Sequence, residues 1–231
     1  MVGEANAAPD ADWIIYDPAS KRVFTFNGDS RNTTAIDPAT GKDVGTIDLG
    51  GAPEFAVADG QGMIYNNLED KNEGLAIDSR NLQVKSHWPI APAGASAPIA
   101  MDRENRRLFI AGREPPMMVV AMNADNGKVI QSLPISNGAD AEVYDAKTGL
   151  IFVSTREVFV HIFHEDSPDH YSEAGKVKTE FGAKTMAYDP ETRHIFADTA
   201  EFEKAPGPAK ESPHPRPRPV PDTFHLLVYA R

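Results

Sequence analysis

The 231-residue sequence contains no cysteine, which excludes disulfide bonds, thiolate metal sites and cysteine nucleophiles. It has no apolar run near the roughly 18 residues that a membrane-spanning helix needs, so we predict no membrane span. Basic residues are few, with 23 Lys and Arg against 34 Asp and Glu, for a formal net charge of −11. Nucleic acids and anionic membranes require a positive surface, so this charge disfavours both as partners. The first residues also lack the basic-then-apolar layout of a signal peptide.

One phrase recurs five times along the chain: an apolar run, a turn containing Asp, and a second apolar run. The anchor aspartates of the five copies are Asp17, Asp59, Asp102, Asp145 and Asp189. Successive anchors are 42, 43, 43 and 44 residues apart. A period in the forties is typical of β-propellers, in which each repeat forms a blade of four antiparallel strands. We expect the anchors to shape turns, because an Asp side chain accepts hydrogen bonds from nearby backbone amides.

The sequence therefore predicts an all-β, single-domain β-propeller over residues 1–231. Its blades are expected at residues 12–53, 54–97, 98–139, 140–183 and 184–231. Strands such as Leu108–Ile110 are apolar at consecutive positions, which is typical of strands buried on both faces and favours radially packed blades over a two-sheet sandwich. The fourth repeat is expected to contain a long acidic connection over His164–His170. A proline-rich insertion at 203–222 is expected to be an extended loop.

The fifth repeat shows only three strands, and no convincing strand precedes residue 12 to complete it. Two interpretations follow: a partial seven-bladed propeller, or a small five-bladed ring with a short last blade. Either arrangement leaves strand edges open, and open edges promote pairing between chains. We therefore expect the protein to form a homo-oligomer through its blade edges.

Three pieces of the chain resemble the YVTN-type repeat of bacterial YncE-like β-propellers: Tyr16–Phe24, Ala35–Lys42 and Tyr188–Phe196. The resemblance extends from about residue 8 to the last strand and suggests the C-terminal five blades of that family. It implies a seven-bladed ring and a periplasmic or extracellular bacterial protein. Relatives of this kind include nucleic-acid-binding, surface-layer and lyase-like propellers. The fourth repeat departs from the pattern, because it lacks the Asp-Pro-Ala-Thr-Gly turn.

The start of each blade's first strand is expected to face one mouth of the central channel. Counting five residues back from each anchor gives Asp12, Glu54, Ala97, Asp140 and Lys184, and Glu142 lies two residues further along the fourth blade. Carboxylates that share a funnel raise one another's pKa or recruit a cation such as Ca²⁺. These residues are the candidate ligand site, and a solvated channel with structural ion pairs is the alternative. A weaker metal candidate is the set His164, Asp166 and His170, although its spacing matches no recognised site.

We find no motif for a catalytic nucleophile or a phosphate-binding loop, and we assign no catalytic residue. The favoured function is a non-enzymatic scaffold that binds a small molecule or a protein at the channel mouth. One alternative is a metal-assisted hydrolase, lactonase or lyase that uses the channel carboxylates. A second is single-stranded nucleic-acid binding, which requires a basic stripe with exposed aromatic residues.

Overall fold

The computed structural model describes residues 4–204 and 217–230 and consists, within those residues, of nineteen strands without a helix. Blade 1 contains β1 (Ala11–Asp17), β2 (Arg22–Asn27), β3 (Asn32–Asp37) and β4 (Lys42–Asp48). Blade 2 contains β5 (Pro53–Ala58), β6 (Met63–Leu68), β7 (Glu73–Asp78) and β8 (Gln83–Pro89). Blade 3 contains β9 (Gly94–Asp102), β10 (Arg107–Glu114), β11 (Met118–Asn123) and β12 (Val129–Pro134). Blade 4 contains β13 (Ala139–Asp145), β14 (Leu150–Thr155), β15 (Phe159–Ser167) and β16 (His170–Lys178), and blade 5 contains β17 (Met186–Asp189), β18 (His194–Thr199) and β19 (His225–Tyr229).

Each blade is an antiparallel meander whose strands are adjacent in chain order, and the described residues form four strands in blades 1 to 4 and three in blade 5. The first strands of successive blades lie side by side, in the order β1, β5, β9, β13 and β17. This arrangement is a five-bladed β-propeller, so the predicted fold is confirmed. The described part of the chain has no helix with the length and apolarity that a bilayer crossing requires.

The hydrophobic core is divided among the interfaces between neighbouring blades. Phe24 and Phe26 of blade 1 pack against Ile64 and Ile77 of blade 2, and all four side chains are fully buried. Each middle blade covers the next one on one face and the previous one on the other. The strands are therefore apolar at consecutive positions, because both of their faces are buried.

The two end blades each keep one open face. Within the described residues, blades 1 and 5 do not pack on one another as successive blades do. On blade 1 the side chains of Ile14 and Tyr16 are 64% and 52% exposed, and on blade 5 those of Leu226 and Val228 are each 54% exposed. Assembly of copies through these ends stays a prediction.

The anchor aspartates form turns, as predicted. Asp17 accepts hydrogen bonds from the backbone amides of Ala19 and Ser20, at 3.3 and 2.8 Å. The other four anchors accept bonds from amides two or more residues further along in the same way. Asp17 also accepts a 2.6 Å hydrogen bond from the buried hydroxyl of Ser79, which links blade 1 to blade 2. Burial opposes its charge, but the bonds from Ser79 and Ser20 hold the pKa of Asp17 below its ordinary value.

We expect Asp17→Ala to lower the free energy of unfolding by about 2 kcal/mol at pH 7, because several hydrogen bonds to a charged group are lost and the buried hydroxyl of Ser79 keeps only the Gly62 carbonyl as an acceptor. Urea denaturation measures the change. The matched control is Asp37→Ala, a partly exposed turn aspartate whose side-chain bonds within the described residues stay inside its own turn, to Ala39 and Thr40, and it should cost clearly less. Since the pKa of Asp17 is lowered, its contribution is present above the unfolded pKa and should disappear as the pH falls through the folded value. Equal losses for the two variants would contradict the role of the link between blades.

The predicted acidic connection over His164–His170 is wrong. Strand β15 continues through His164 to Ser167, turns at Pro168 and Asp169, and pairs back along β16, with His164 opposite Ser172. The hydrogen bonds of the long hairpin satisfy the backbone of this polar stretch, so it needs no apolar face to remain a strand. Of the 203–222 insertion, residues 205–216 lie outside the described residues. At its two ends, Glu203 donates a backbone hydrogen bond to Arg218, at 2.9 Å.

Candidate functional site: a charged cluster at the channel mouth

A single guanidinium group holds the charged residues of three blades together. Arg113, near the end of β10, donates from Nη1 to Glu54 Oε1 at 3.2 Å and to Glu69 Oε1 at 3.0 Å. Its Nη2 donates to Glu54 Oε2 at 3.2 Å and to Asp140 Oδ1 at 3.1 Å. Glu54 and Asp140 stand near the starts of the first strands of blades 2 and 4, so three neighbouring blades meet at one guanidinium. We call Glu54, Glu69, Arg113, Asp140, Lys184 and Asp12 the mouth cluster.

Lys184 extends the cluster to blade 5. Its Nζ donates to Asp140 Oδ1 at 2.8 Å, so one carboxylate oxygen accepts from both Lys184 and Arg113. The Lys184 side chain is 36% exposed and that of Arg113 is 26% exposed, whereas that of Asp140 is only 12% exposed. The cluster therefore has its basic groups partly in contact with solvent and one carboxylate enclosed between them.

Asp12 lies at the blade 1 side of the cluster and makes no ion pair within the described residues. Burial, followed by the nearby carboxylates of Asp10 and Asp29, raises the pKa of Asp12, and Arg113 opposes this shift only in part. The fifth position of the predicted set, Ala97, is fully buried and supplies no charge. The register of five residues thus brings together four charged side chains from four blades.

The ionisation of Glu54 falls in the physiological range. Burial raises its pKa to about 7, Arg113 pulls in the opposite direction, and the neighbouring Glu69 and Asp12 raise it further. One guanidinium shared among three carboxylates does not compensate for the desolvation of each of them. The pKa of Arg113 is itself raised, because Glu54, Asp140 and Glu69 outweigh the burial that opposes its charge. The net charge of the mouth cluster therefore changes close to neutral pH.

Glu142, predicted to join the channel carboxylates, lies elsewhere. It pairs with Val153 of β14, whose side chain belongs to the core between blades 3 and 4, and it is only 8% exposed. Neither of its carboxylate oxygens has a hydrogen-bond partner within the described residues. Burial alone raises the pKa of Glu142 well above its ordinary value. Burial thus favours the neutral carboxylic acid of Glu142 inside this blade interface.

The two histidines of the weaker metal candidate both bind the same carboxylate. His164 Nδ1 lies 2.7 Å from Asp166 Oδ1, and His170 Nδ1 lies 3.1 Å from Asp166 Oδ2. The three side chains stand on one exposed hairpin and hydrogen-bond to one another. No group of three His, Cys, Asp or Glu side chains in residues 4–204 and 217–230 has the arrangement of a metal site. Binding of a divalent cation, here or at the mouth cluster, stays a prediction.

Comparison with known proteins identifies the fold and no family. No family model and no curated protein matches the chain. Among solved structures, the chain is similar to Kuenenia stuttgartiensis hydrazine synthase, with a TM-score of 0.71 and 12% identity over 97% of this chain and 63% of that one. It is also similar to a chain of a mitotic checkpoint complex, with a TM-score of 0.67 and 12% identity over 76% of this chain and 55% of that one. The chain thus spans less than two thirds of the structures it matches, and at this identity the likeness concerns the fold alone.

In all, 1168 chains of solved structures match. A fold shared by so many chains does not by itself indicate an activity. Neither of the two similar structures is described as that of a YncE-like protein. The resemblance to that family, and the export that it implies, stay predictions.

Sequence reasoning missed Arg113, which lies near the end of β10, and Glu69, which directly follows β6. A second strand runs antiparallel to the first, so its last residues lie beside the start of the first strand. Counting ten residues forward from Asp59 gives Glu69, and eleven forward from Asp102 gives Arg113. Counting forward from each anchor aspartate, as well as five residues back, could therefore have identified both residues.

Proposed function

We propose that the protein is a non-enzymatic β-propeller scaffold whose channel mouth binds a partner through a cationic group. The observation that carries this proposal is the composition of the mouth cluster. Within residues 4–204 and 217–230, four carboxyl groups, those of Asp12, Glu54, Glu69 and Asp140, share two basic side chains, Arg113 and Lys184. An added cation relieves the repulsion among the carboxylates, and low-dielectric walls strengthen that attraction.

The contacts of the cluster favour binding over catalysis. Both Nη atoms of Arg113 and the Nζ of Lys184 hold oxygens of Glu54, Glu69 and Asp140, so a general base is not free there, and a partner's cation is attracted by the excess negative charge of the whole cluster. A nucleic acid is also disfavoured, because its phosphates would meet an excess of carboxylates at this mouth. A basic side chain of a partner protein, or a small organic cation, fits the charge of the site.

The test is calorimetric titration with an acetylated and amidated tetra-arginine peptide, whose charge is constant over the accessible pH range. We expect wild-type protein to bind it at pH 8 and low salt, with an affinity that falls as the ionic strength rises. The double variant Glu54→Gln/Asp140→Asn should bind at least about tenfold more weakly, a loss of roughly 1.4 kcal/mol. The matched control is Asp43→Asn/Asp48→Asn, which removes two exposed carboxylates from β4 and leaves the mouth intact.

Equal weakening in the two double variants would contradict the proposal, because the peptide would then respond only to the overall charge. Thermal melts of both variants establish that the fold persists, so that a loss of binding is not a loss of structure.

A further inference from the structure

A cavity that is separate from the mouth cluster lies between blades 4 and 5. It has a volume of about 340 Å³, at the lower end of the roughly 300–1,000 Å³ of small-molecule sites. Its blade 4 wall includes Phe152, Ile162 and Val177, and its blade 5 wall includes Ile195 and Tyr229. The walls are therefore apolar on both sides.

The charge of this cavity is opposite to that of the protein. Among the described residues, the lining includes Lys176 and Arg193 and contains neither Asp nor Glu, although the chain as a whole carries a net charge of −11. Neither side chain forms an ion pair within the described residues. Lys176 Nζ lies 4.6 Å from the centre of the Phe159 ring, which is not part of the lining, so the cationic group available to the cavity is that of Arg193.

Arg106 is the equivalent arginine of blade 3, and it has carboxylate partners that Arg193 does not have among the described residues. Arg106 stands, like Arg193, four residues after its anchor aspartate, and the two residues have φ of +55° and +60°. It donates to Asp125 at 2.6 Å, to Asp59 at 3.2 Å and to the Tyr65 hydroxyl at 2.8 Å, which ties blade 3 to blade 2. Asp125 belongs to the turn between the third and fourth strands of blade 3, and in the part of the chain that the structure describes the sheet of blade 5 has no fourth strand. The guanidinium of Arg193 is thus left beside an apolar cavity without a carboxylate partner among the described residues.

We propose that this cavity binds an amphipathic organic anion, a small molecule with an apolar body and one carboxylate or sulfonate group. The apolar body fills the space between Phe152 and Ile195, and its burial supplies about 25 cal/mol per Å² of apolar surface removed from water. The anionic group is bound by Arg193, whose planar guanidinium matches a carboxylate with two parallel hydrogen bonds. This site is independent of the mouth cluster and of the partner proposed for it.

The experiment uses two probes, 1-anilinonaphthalene-8-sulfonate, followed by fluorescence, and decanoate as its competitor. Wild-type protein should bind the dye at one site from which decanoate displaces it and decanol displaces it at least fivefold less well. Arg193→Gln should weaken dye binding about tenfold. Ala174→Trp, which places a large side chain at the cavity from an exposed position, should abolish it at the same dye concentration. The matched control is Lys21→Gln, the corresponding turn position of blade 1, and it should leave binding unchanged.

Two outcomes would overturn the proposal. If the dye binds Arg193→Gln and Ala174→Trp as it binds wild type, and binding is lost instead in Leu226→Ser/Val228→Ser, the dye occupies the open face of blade 5. If Ala174→Trp changes the sedimentation coefficient rather than dye binding, a second copy of the chain occupies the cavity. Thermal melts of each variant confirm that it is folded, so unfolding does not account for a lost signal.

Discussion

Replacing Arg113 with methionine should lower the free energy of unfolding by about 2 kcal/mol at pH 8, because it leaves three partly buried carboxylates without their shared partner. The figure is set below that of a fully buried pair, since the Arg113 side chain is 26% exposed. The loss should shrink toward pH 5, where the raised pKa of Glu54, about 7, keeps that group protonated. Urea denaturation at the two pH values measures both effects.

The matched control for this substitution is Arg31→Met, which removes a surface ion pair with Asp70 at 3.1 Å. The two side chains are 55% and 31% exposed, so this pair should contribute less than about 0.5 kcal/mol at either pH. Similar losses for the two arginines, or a loss at Arg113 that does not depend on pH, would show that the guanidinium does not hold the mouth cluster together.

Glu142→Met should raise the free energy of unfolding by about 2 kcal/mol at pH 7, since it replaces an unpaired carboxyl in a blade interface with an apolar side chain of similar length. The position three residues before the anchor is apolar in the other four blades, where it is occupied by Ile14, Ala56, Ile99 and Met186. For a protein of this size the gain corresponds to a rise in Tm of about 4–8 °C. The matched control is Glu173→Met, an exposed position of β16 in the same blade, which should change Tm little.

The pH dependence of this gain follows from the raised pKa of Glu142. At a pH above the pKa that Glu142 has in the unfolded chain, the unfolded chain releases the Glu142 proton while the folded chain retains it. The wild-type protein therefore loses stability as the pH rises. The advantage of Glu142→Met should therefore increase from pH 4.5 upward and level off above the folded pKa. A variant that is less stable than wild type at every pH would show that the carboxyl has a partner in the folded protein.

Part of this molecule could be predicted from the sequence because short-range patterns determine it. The spacing of Asp17, Asp59 and the later anchors fixes the blade period, and each anchor forms its turn with residues two to four positions away. The register of five residues found Glu54, Asp140 and Lys184, since a position counted from a turn keeps its place along a strand.

The rest depends on contacts between blades, which local patterns do not contain. Arg113 reaches Glu54 across 59 residues of sequence, and its role follows only from the contacts of its guanidinium with residues at the starts of β5 and β13. Glu142 looked like a fourth channel carboxylate because it lies two residues after Asp140, but the register shift between Ala139 and Ala141 turns it into the blade interface. The polar residues of His164–His170 show no strand pattern in the sequence, because this strand is stabilised by backbone pairing with β16.

The central claim is that inner-strand residues of neighbouring blades form one cation-binding mouth whose charge is controlled by Glu54. The most direct test is the affinity for the tetra-arginine peptide between pH 6 and pH 8, compared between wild type and Glu54→Gln. Because the pKa of Glu54 is about 7, wild-type affinity should rise through this range as the carboxyl ionises, while that of the variant stays nearly constant. Parallel pH profiles for the two proteins would contradict the account.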